Sequence, residues 1–426
     1  MSQAIKDVPV SNVTATQKAC CRFCQAPLTH TVVDLGMSPL CESYVSLSQL
    51  NQMEPFYPLR VYVCDRCFLV QLQEYVSPEH IFTEYAYFSS YAESWLQHAR
   101  VYTDLMVDRF SLNASSQVVE LASNDGYLLQ YFLEKGIPVL GVEPAANIAQ
   151  VALSKGIPTV NEFFGQDCAH KLVQQGKQAD LIVANNVLAH VPDLNDFVAG
   201  IKRLLKPQGV ATGEFQHLLR LMESNQFDTI YHEHFCYHSF IAIEKIFAAH
   251  GMTLFDVEEL PTHGGSLRVY ARHSEDISKP VCNRVAALRA HEENDGFTTL
   301  ERYAQFSAQV QATKRNLLDF LIQAKKAGKV IVGYGAPGKG NTLLNYCGIR
   351  TDFLEYTVDR NPYKQGMYLP GTHIPIYAPE KIAETKPDYV LILPWNFKDE
   401  IMKQMSFIGE WGGQFVVPIP EVKVYA

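Results

Sequence analysis

A chain of 426 residues exceeds one ordinary domain, and roughly two to four are expected. Its hydrophobic share of 47% and charged share of 19% are those of a well-cored globular protein. A formal net charge of −9 makes nucleic acid a poor partner, and no apolar run reaches the roughly 18 residues of a membrane span.

The amino terminus is polar and lacks a secretory core, so a cytoplasmic location is expected, where thiols stay reduced. The ten cysteines then read as metal ligands or small buried residues. Cys21-Arg-Phe-Cys24 and Cys64-Asp-Arg-Cys67 share one spacing, each in a tight turn. Four thiolates so paired form the tetrahedron of a structural zinc, with no open position for catalysis. Cys20 competes with Cys21 but spaces less well, and Cys41 reads as a packed residue. A small segment of this kind gains its folding energy from the metal, and it is a candidate cover for an active site.

Residues 118–126, Val-Val-Glu120-Leu-Ala122-Ser-Asn124-Asp125-Gly126, read as a strand ending in a polar turn before a helix. A second strand ends at Glu143-Pro144, a third over 179–184 leads to Asn185-Asn186-Val187 and His190, and 209–212 belongs to a fourth. Strands alternating with helices predict a parallel sheet wound on both faces, with ligands beyond the carboxyl ends of the strands. Glu143 stands where a carboxylate accepts from both hydroxyls of a ribose. An acid about 20 residues beyond the turn suits NAD or S-adenosylmethionine alike. The full G-x-G-x-x-G that a pyrophosphate needs is missing here, which favours S-adenosylmethionine.

With these motifs the chain resembles the sugar C-methyltransferases of deoxysugar biosynthesis. The resemblance runs from Cys21 to Ile419. It is carried by the two cysteine pairs, Glu84 to Ser90, Glu120 to Gly126, Asn185 to His190, Tyr231-His-Glu-His-Phe235, His263-Gly264-Gly265 and Gly333-Tyr334-Gly335-Ala336. Ala122 departs from it, since the family usually has glycine there. The resemblance implies three α/β-type modules: a zinc-binding domain over 1–78, a Rossmann-like methyltransferase domain over 79–284, and a second Rossmann-like domain with a helical connector over 285–426. It further implies that Tyr87, Phe164 and Val187 join the strand-tip residues around the cofactor, and that Tyr85 and Tyr87 belong to a lid.

Methylating carbon requires an enolate, so a ketone must flank the C–H and a base must remove its proton. Histidine titrates nearest to working pH. The segment Tyr231-His232-Glu233-His234 offers that chemistry, and the resemblance makes His234 the base. Tyr231 is then a donor to the enolate oxygen, Glu233 orients a ring or binds a sugar hydroxyl, and His190 faces the same space. Two other readings stay open: a metal cluster of His232, Glu233, His234, Cys236 and His238, or a polar helix start with one satisfied histidine.

Residues 285–325 read as a helical connector. Gly333-Tyr-Gly335-Ala-Pro-Gly338-Lys339 then follows a strand as a true G-x-G-x-x-G, with Asp359 about 20 residues on. Taken alone this is a nicotinamide fingerprint, and an NAD-dependent oxidoreductase is the rival reading; a zinc-knuckle scaffold is the non-enzymatic one. The resemblance instead makes the loop a cradle for the diphosphate of a nucleotide sugar, with Tyr334, Gly335, Ala336 and Lys339 in it and Lys364 and Asn396 nearby; a vestigial cofactor fold kept only for packing is the other reading of it. His263, Gly264, Gly265 and Arg268 are expected at the sugar. The substrate is then a small molecule, on a monomer or weak oligomer.

Overall fold

The computed structural model describes residues 19–77, 89–91 and 93–426. The central sheet is built from β4 (Val118–Leu121), β5 (Val139–Val142), β6 (Thr159–Val160), β7 (Ala179–Asn185), β8 (Leu205–Gln216), β10 (Met252–Leu260) and β11 (Ser266–His273). Their order is β10-β11-β8-β7-β4-β5-β6. The five strands from β8 to β6 are parallel, and β11 and β10 add an antiparallel hairpin at the far edge. β4 and β5 are buried throughout, as in a sheet covered on both faces, and apart from Glu120 their side chains are apolar or absent. The chain leaves β4 toward β5 and β6, then returns to β7 on the other side. That reversal opens a crevice between the carboxyl ends of β4 and β7.

The helix Glu93–Phe110 packs on this sheet through Ala99, Tyr102, Thr103 and Met106, one stripe at helical spacing. Tyr102 shares a 2.6 Å hydroxyl hydrogen bond with Thr212 of β8, which fixes the helix over the crevice.

The N-terminal module is an antiparallel sheet of β1 (His30–Ser38), β2 (Tyr57–Val63) and β3 (Val70–Leu72). Its fourth strand, β9 (Cys236–Tyr237), comes from the central domain and pairs with β3. The segment immediately after Phe235 is therefore part of the zinc module's sheet.

The C-terminal sheet runs β14-β13-β12-β15-β16-β17. It comprises β12 (Ile331–Tyr334), β13 (Thr357–Val358), β14 (Ile376–Tyr377), β15 (Tyr389–Ile392), β16 (Gln414–Val417) and β17 (Lys423–Tyr425), all parallel except the last pair. The connector expected as one helix is three, Asn283–Asn294, Leu300–Ala304 and Phe306–Lys326. Gly296, with φ at 88°, is the left-handed break after the first. No helix among the described residues is long and apolar enough to cross a membrane.

Candidate active site

The thiols of Cys21, Cys24, Cys64 and Cys67 lie within 4.8 Å of one another. Cys21 and Cys67 stand 3.5 Å apart and Cys24 and Cys64 3.4 Å, close to the roughly 3.8 Å separating ligands 2.3 Å from a tetrahedral zinc. These four cysteines form a tetracysteine zinc site; Cys20 is exposed and outside it. Among the described residues no other His/Cys/Asp/Glu group can hold a metal, so the 232–238 stretch is not a metal cluster.

One cavity of about 590 Å³ is walled by all three modules. Its first end is built at the tips of β4, β5 and β7 by Ala122, Asn124, Glu143, Pro144, Phe164, Asn185, Asn186 and Val187. Glu143 accepts from the backbone N–H of Asn124 (2.9 Å) and of Ala145 (2.8 Å). Burial raises its carboxyl above the ordinary range, and the two N–H groups pull it back. Asn185 Oδ1 and Asn186 Nδ2 are buried with no hydrogen-bond partner among the described residues, as polar atoms are when a ligand completes them. The turn is strongly bent: φ is 51° at Ala122, 49° at Asn124 and 77° at Gly126. The left-handed backbone at Ala122 is what glycine adopts freely, which explains the residue that the resemblance expects there.

Three cofactor expectations belong behind this wall. Glu120 is buried beneath the turn, its carboxyl raised well above the ordinary range by burial and then by the charges of Glu143 and Asp125. Asp125 pairs with Lys155 at 3.1 Å. A Cβ on Gly126 would lie 2.2 Å from Ile157, and Gly126 is not among the residues lining the cavity. Tyr85 and Tyr87 lie outside the described residues.

The second end holds the side chains expected to carry the chemistry. His234 Nδ1–H donates to the carbonyl of Thr229 (2.9 Å) and His190 Nδ1–H to that of Glu233 (2.9 Å), so in each ring Nε2 is the basic nitrogen. The rings stand 4.7 Å apart, edge to face, and Tyr231 covers His234 at 4.1 Å. Burial holds His234 well below the ordinary histidine range, with His190 adding to the effect, and burial lowers His190 itself to about 4. Both are neutral near pH 7, the form a base requires. His263 lines the same wall at φ 54°, also lowered to about 4 by burial and by nearby Lys339. Gly264 and Gly265, at 86° and 118°, shape the turn behind it.

The third wall comes from outside the central domain. Cys41, expected only to pack, lines the cavity and donates to Glu233 Oε1 at 3.4 Å. Lys339 is half-buried, donates to Asn396 Oδ1 (2.8 Å) and lies 4.9 Å over the Trp395 ring. Burial lowers its ammonium, opposed by Asp228. Trp395 Nε1–H in turn donates to Asp228 (2.7 Å), whose carboxyl burial raises to about 6. Lys364 donates to the Ala336 carbonyl (2.9 Å) beside Glu42.

The glycine-rich loop departs from a dinucleotide cradle. The Ala336 carbonyl also accepts from Tyr44 Oη (2.6 Å), and the Ala336 N–H donates to Asp359 (2.7 Å). A Cβ at Gly338 would stand 2.9 Å from Cys41 Sγ, so protein fills the space a pyrophosphate would take over the loop. Tyr334 turns into the C-terminal core toward Gln404, and Gly335 abuts Pro394. Only Pro337, Gly338 and Lys339 face the cavity. Arg268 is likewise absent from the lining: it is buried in ion pairs with Glu214 (2.6 Å) and Glu258 (3.2 Å). Trp95, Phe163, Gln216 and Glu42 line the cavity without having been singled out. Of these only Trp95, one of three tryptophans, carried any sequence signal.

Three family models match the chain in succession: a zinc binding domain over residues 21–82, a methyltransferase domain over 94–257 and a C-methyltransferase C-terminal domain over 261–420. The C-methyltransferase NovU of Streptomyces niveus is 36% identical over 404 residues, 95% of this chain and 96% of that protein. A ubiquinone biosynthesis O-methyltransferase of Bartonella bacilliformis is 27% identical over 24% of this chain and 43% of its own length. Among solved structures, magnesium protoporphyrin IX methyltransferase from Synechocystis with bound SAH is 16% identical. It covers 42% of this chain and 83% of that one, at a TM-score of 0.34.

Proposed function

Because the chain belongs to the C-methyltransferases that join a zinc-binding, a methyltransferase and a C-methyltransferase C-terminal domain, we propose that it methylates a carbon beside the ketone of a nucleotide-linked sugar. It is an S-adenosylmethionine-dependent C-methyltransferase. The nature of the acceptor is our reading. The observation that carries it is the convergence of His234, Tyr231, Glu233 and Lys339 on one cavity with the β4 and β5 tips.

Bound S-adenosylmethionine supplies a methyl already activated by its sulfonium, so the protein's task is to make and hold a carbon nucleophile. Glu143, Asn185 and Asn186 suit the cofactor's ribose and polar ends, with Phe164 flanking the adenine. His234 Nε2 removes the proton beside the ketone; its Nδ1 bond to Thr229 fixes both tautomer and ring orientation. The Tyr231 hydroxyl donates to the oxygen on which charge develops, an interaction worth roughly 3–4 kcal/mol in such sites. His190 and His263 bound the same space as neutral imidazoles. Glu233, steadied by Cys41, binds a sugar hydroxyl.

The substrate diphosphate rests against Lys339 on the cavity side of the loop, with Lys364 nearby. This places the anion at the rim of the glycine-rich loop and leaves the blocked loop centre unused. Transfer of labelled methyl from S-adenosylmethionine to a panel of 4-keto nucleotide sugars tests the reading. Product with none of them, from enzyme that binds the cofactor, would overturn the acceptor assignment.

A further inference from the structure

The cofactor's sulfonium is a cation, and an aromatic face recognises a cation in a dry cavity through its quadrupole. Trp95 is placed for this at the junction of the two ends of the cavity. It lines the cavity, lies 6.2 Å from Tyr127 of the β4 turn and meets His263 of the reactive wall at 5.1 Å. With Glu143 taking the ribose, the sulfonium belongs on the side of the β4 turn toward His234, where these neighbours stand.

The ring is also held rigidly. His98, one helical turn on, stacks on it at 4.9 Å and 12°. His98 is fixed by a 2.8 Å bond to Glu214, a buried carboxylate that Arg268 grips at 2.6 Å. The ion pairs around Arg268 thus act at one remove from the site: they orient the helix position that presents Trp95. A ring so clamped costs little entropy on binding. Burial keeps His190 and His263 neutral near pH 7, so these two rings do not repel the cation.

We propose that Trp95 is the sulfonium-recognising residue of this enzyme, binding the cofactor through a cation–π contact that the demethylated product cannot make. The inference rests on the cofactor orientation given above. It is tested by calorimetric titration of the wild-type protein, Trp95→Phe and Trp95→Leu with S-adenosylmethionine and with S-adenosylhomocysteine. Trp95→Leu should weaken S-adenosylmethionine roughly 2- to 30-fold, the span of such contacts, with little change for the neutral thioether. Trp95→Phe should recover part of the loss. Equal weakening for both ligands, or none, overturns the role of Trp95. Should Trp95→Leu not fold, the comparison of wild type with Trp95→Phe decides: an unchanged preference between the two ligands overturns it. Failure of the wild type to bind either ligand would instead sink the cofactor orientation.

Discussion

Cys41 Sγ and Glu233 Oε1 lie 3.4 Å apart across 192 residues of sequence, joining the N-terminal module to the Tyr231–His234 segment. Burial, and then the nearby charge of Glu233, hold the thiol well above its ordinary value, so it stays protonated and donates. The Cys41 carbonyl accepts from Asn341 Nδ2 at 2.6 Å, so the same residue is also tied to the C-terminal helix. Cys41→Ala is expected to lower kcat several-fold, with Cys41→Ser retaining most of it. Steady-state kinetics of the two variants check this; equal loss in both would show that the donor is unimportant.

Zinc should matter to the reaction as well as to folding. β9 pairs with β3 directly after Phe235, so loosening the zinc sheet loosens the anchor of His234. Cys64→Ser, or chelation, is expected to lower the melting temperature and the bound zinc together. Cofactor binding at β4 and β5 should survive in whatever remains folded. Metal analysis beside thermal unfolding reads both effects.

Removing the base should separate chemistry from binding. His234→Asn keeps a donor for the Thr229 carbonyl but has no basic nitrogen. A loss of roughly 10²- to 10⁴-fold in kcat is expected, the usual worth of general base catalysis. The affinity for S-adenosylhomocysteine should stay within twofold. Turnover at the wild-type rate would rule out His234 as the base.

Acid should destabilise the fold before it removes the carboxylates. His190, His232, His238 and His263 are each lowered to about 4 by burial. An unfolded chain binds protons at about pH 6.5 that these folded imidazoles refuse. The unfolded state therefore binds more protons, and stability falls as pH drops from about 6.5 toward about 4. Below that window these groups contribute no further loss. Melting temperature against pH would show a decline beginning above pH 6; a flat profile down to pH 4.5 contradicts the burial of these rings.

Charge at Lys339 should act on the sugar nucleotide alone. Lys339→Met keeps the stem over Trp395 and removes the ammonium. KM for the nucleotide sugar is expected to rise about tenfold or more, because a charge-assisted contact is lost. The dissociation constant of S-adenosylmethionine should not move. A parallel rise in both would place Lys339 at the cofactor instead.

The amino-acid sequence by itself determined the local parts of this protein. Paired Cys-x-x-Cys turns, apolar runs ending in Glu143 and Asn185-Asn186, and the Tyr231–His234 segment are short-range patterns, and each was legible as a zinc knuckle, a strand tip or a polar cluster at a cavity. What only the tertiary structure decided was which of those parts face one another. Gly333–Gly338 satisfies a dinucleotide motif, yet Cys41 and Tyr44 from nearly 300 residues away occupy the loop. Arg268 has the charge of an anion contact, but Glu214 and Glu258 consume its donors. Trp95 gains its place through His98 and Glu214, which meet only when a helix packs on β8. Side-chain periodicity reports which face of an element is buried. It says nothing of the distant surface that buries it, and close packing settles that globally.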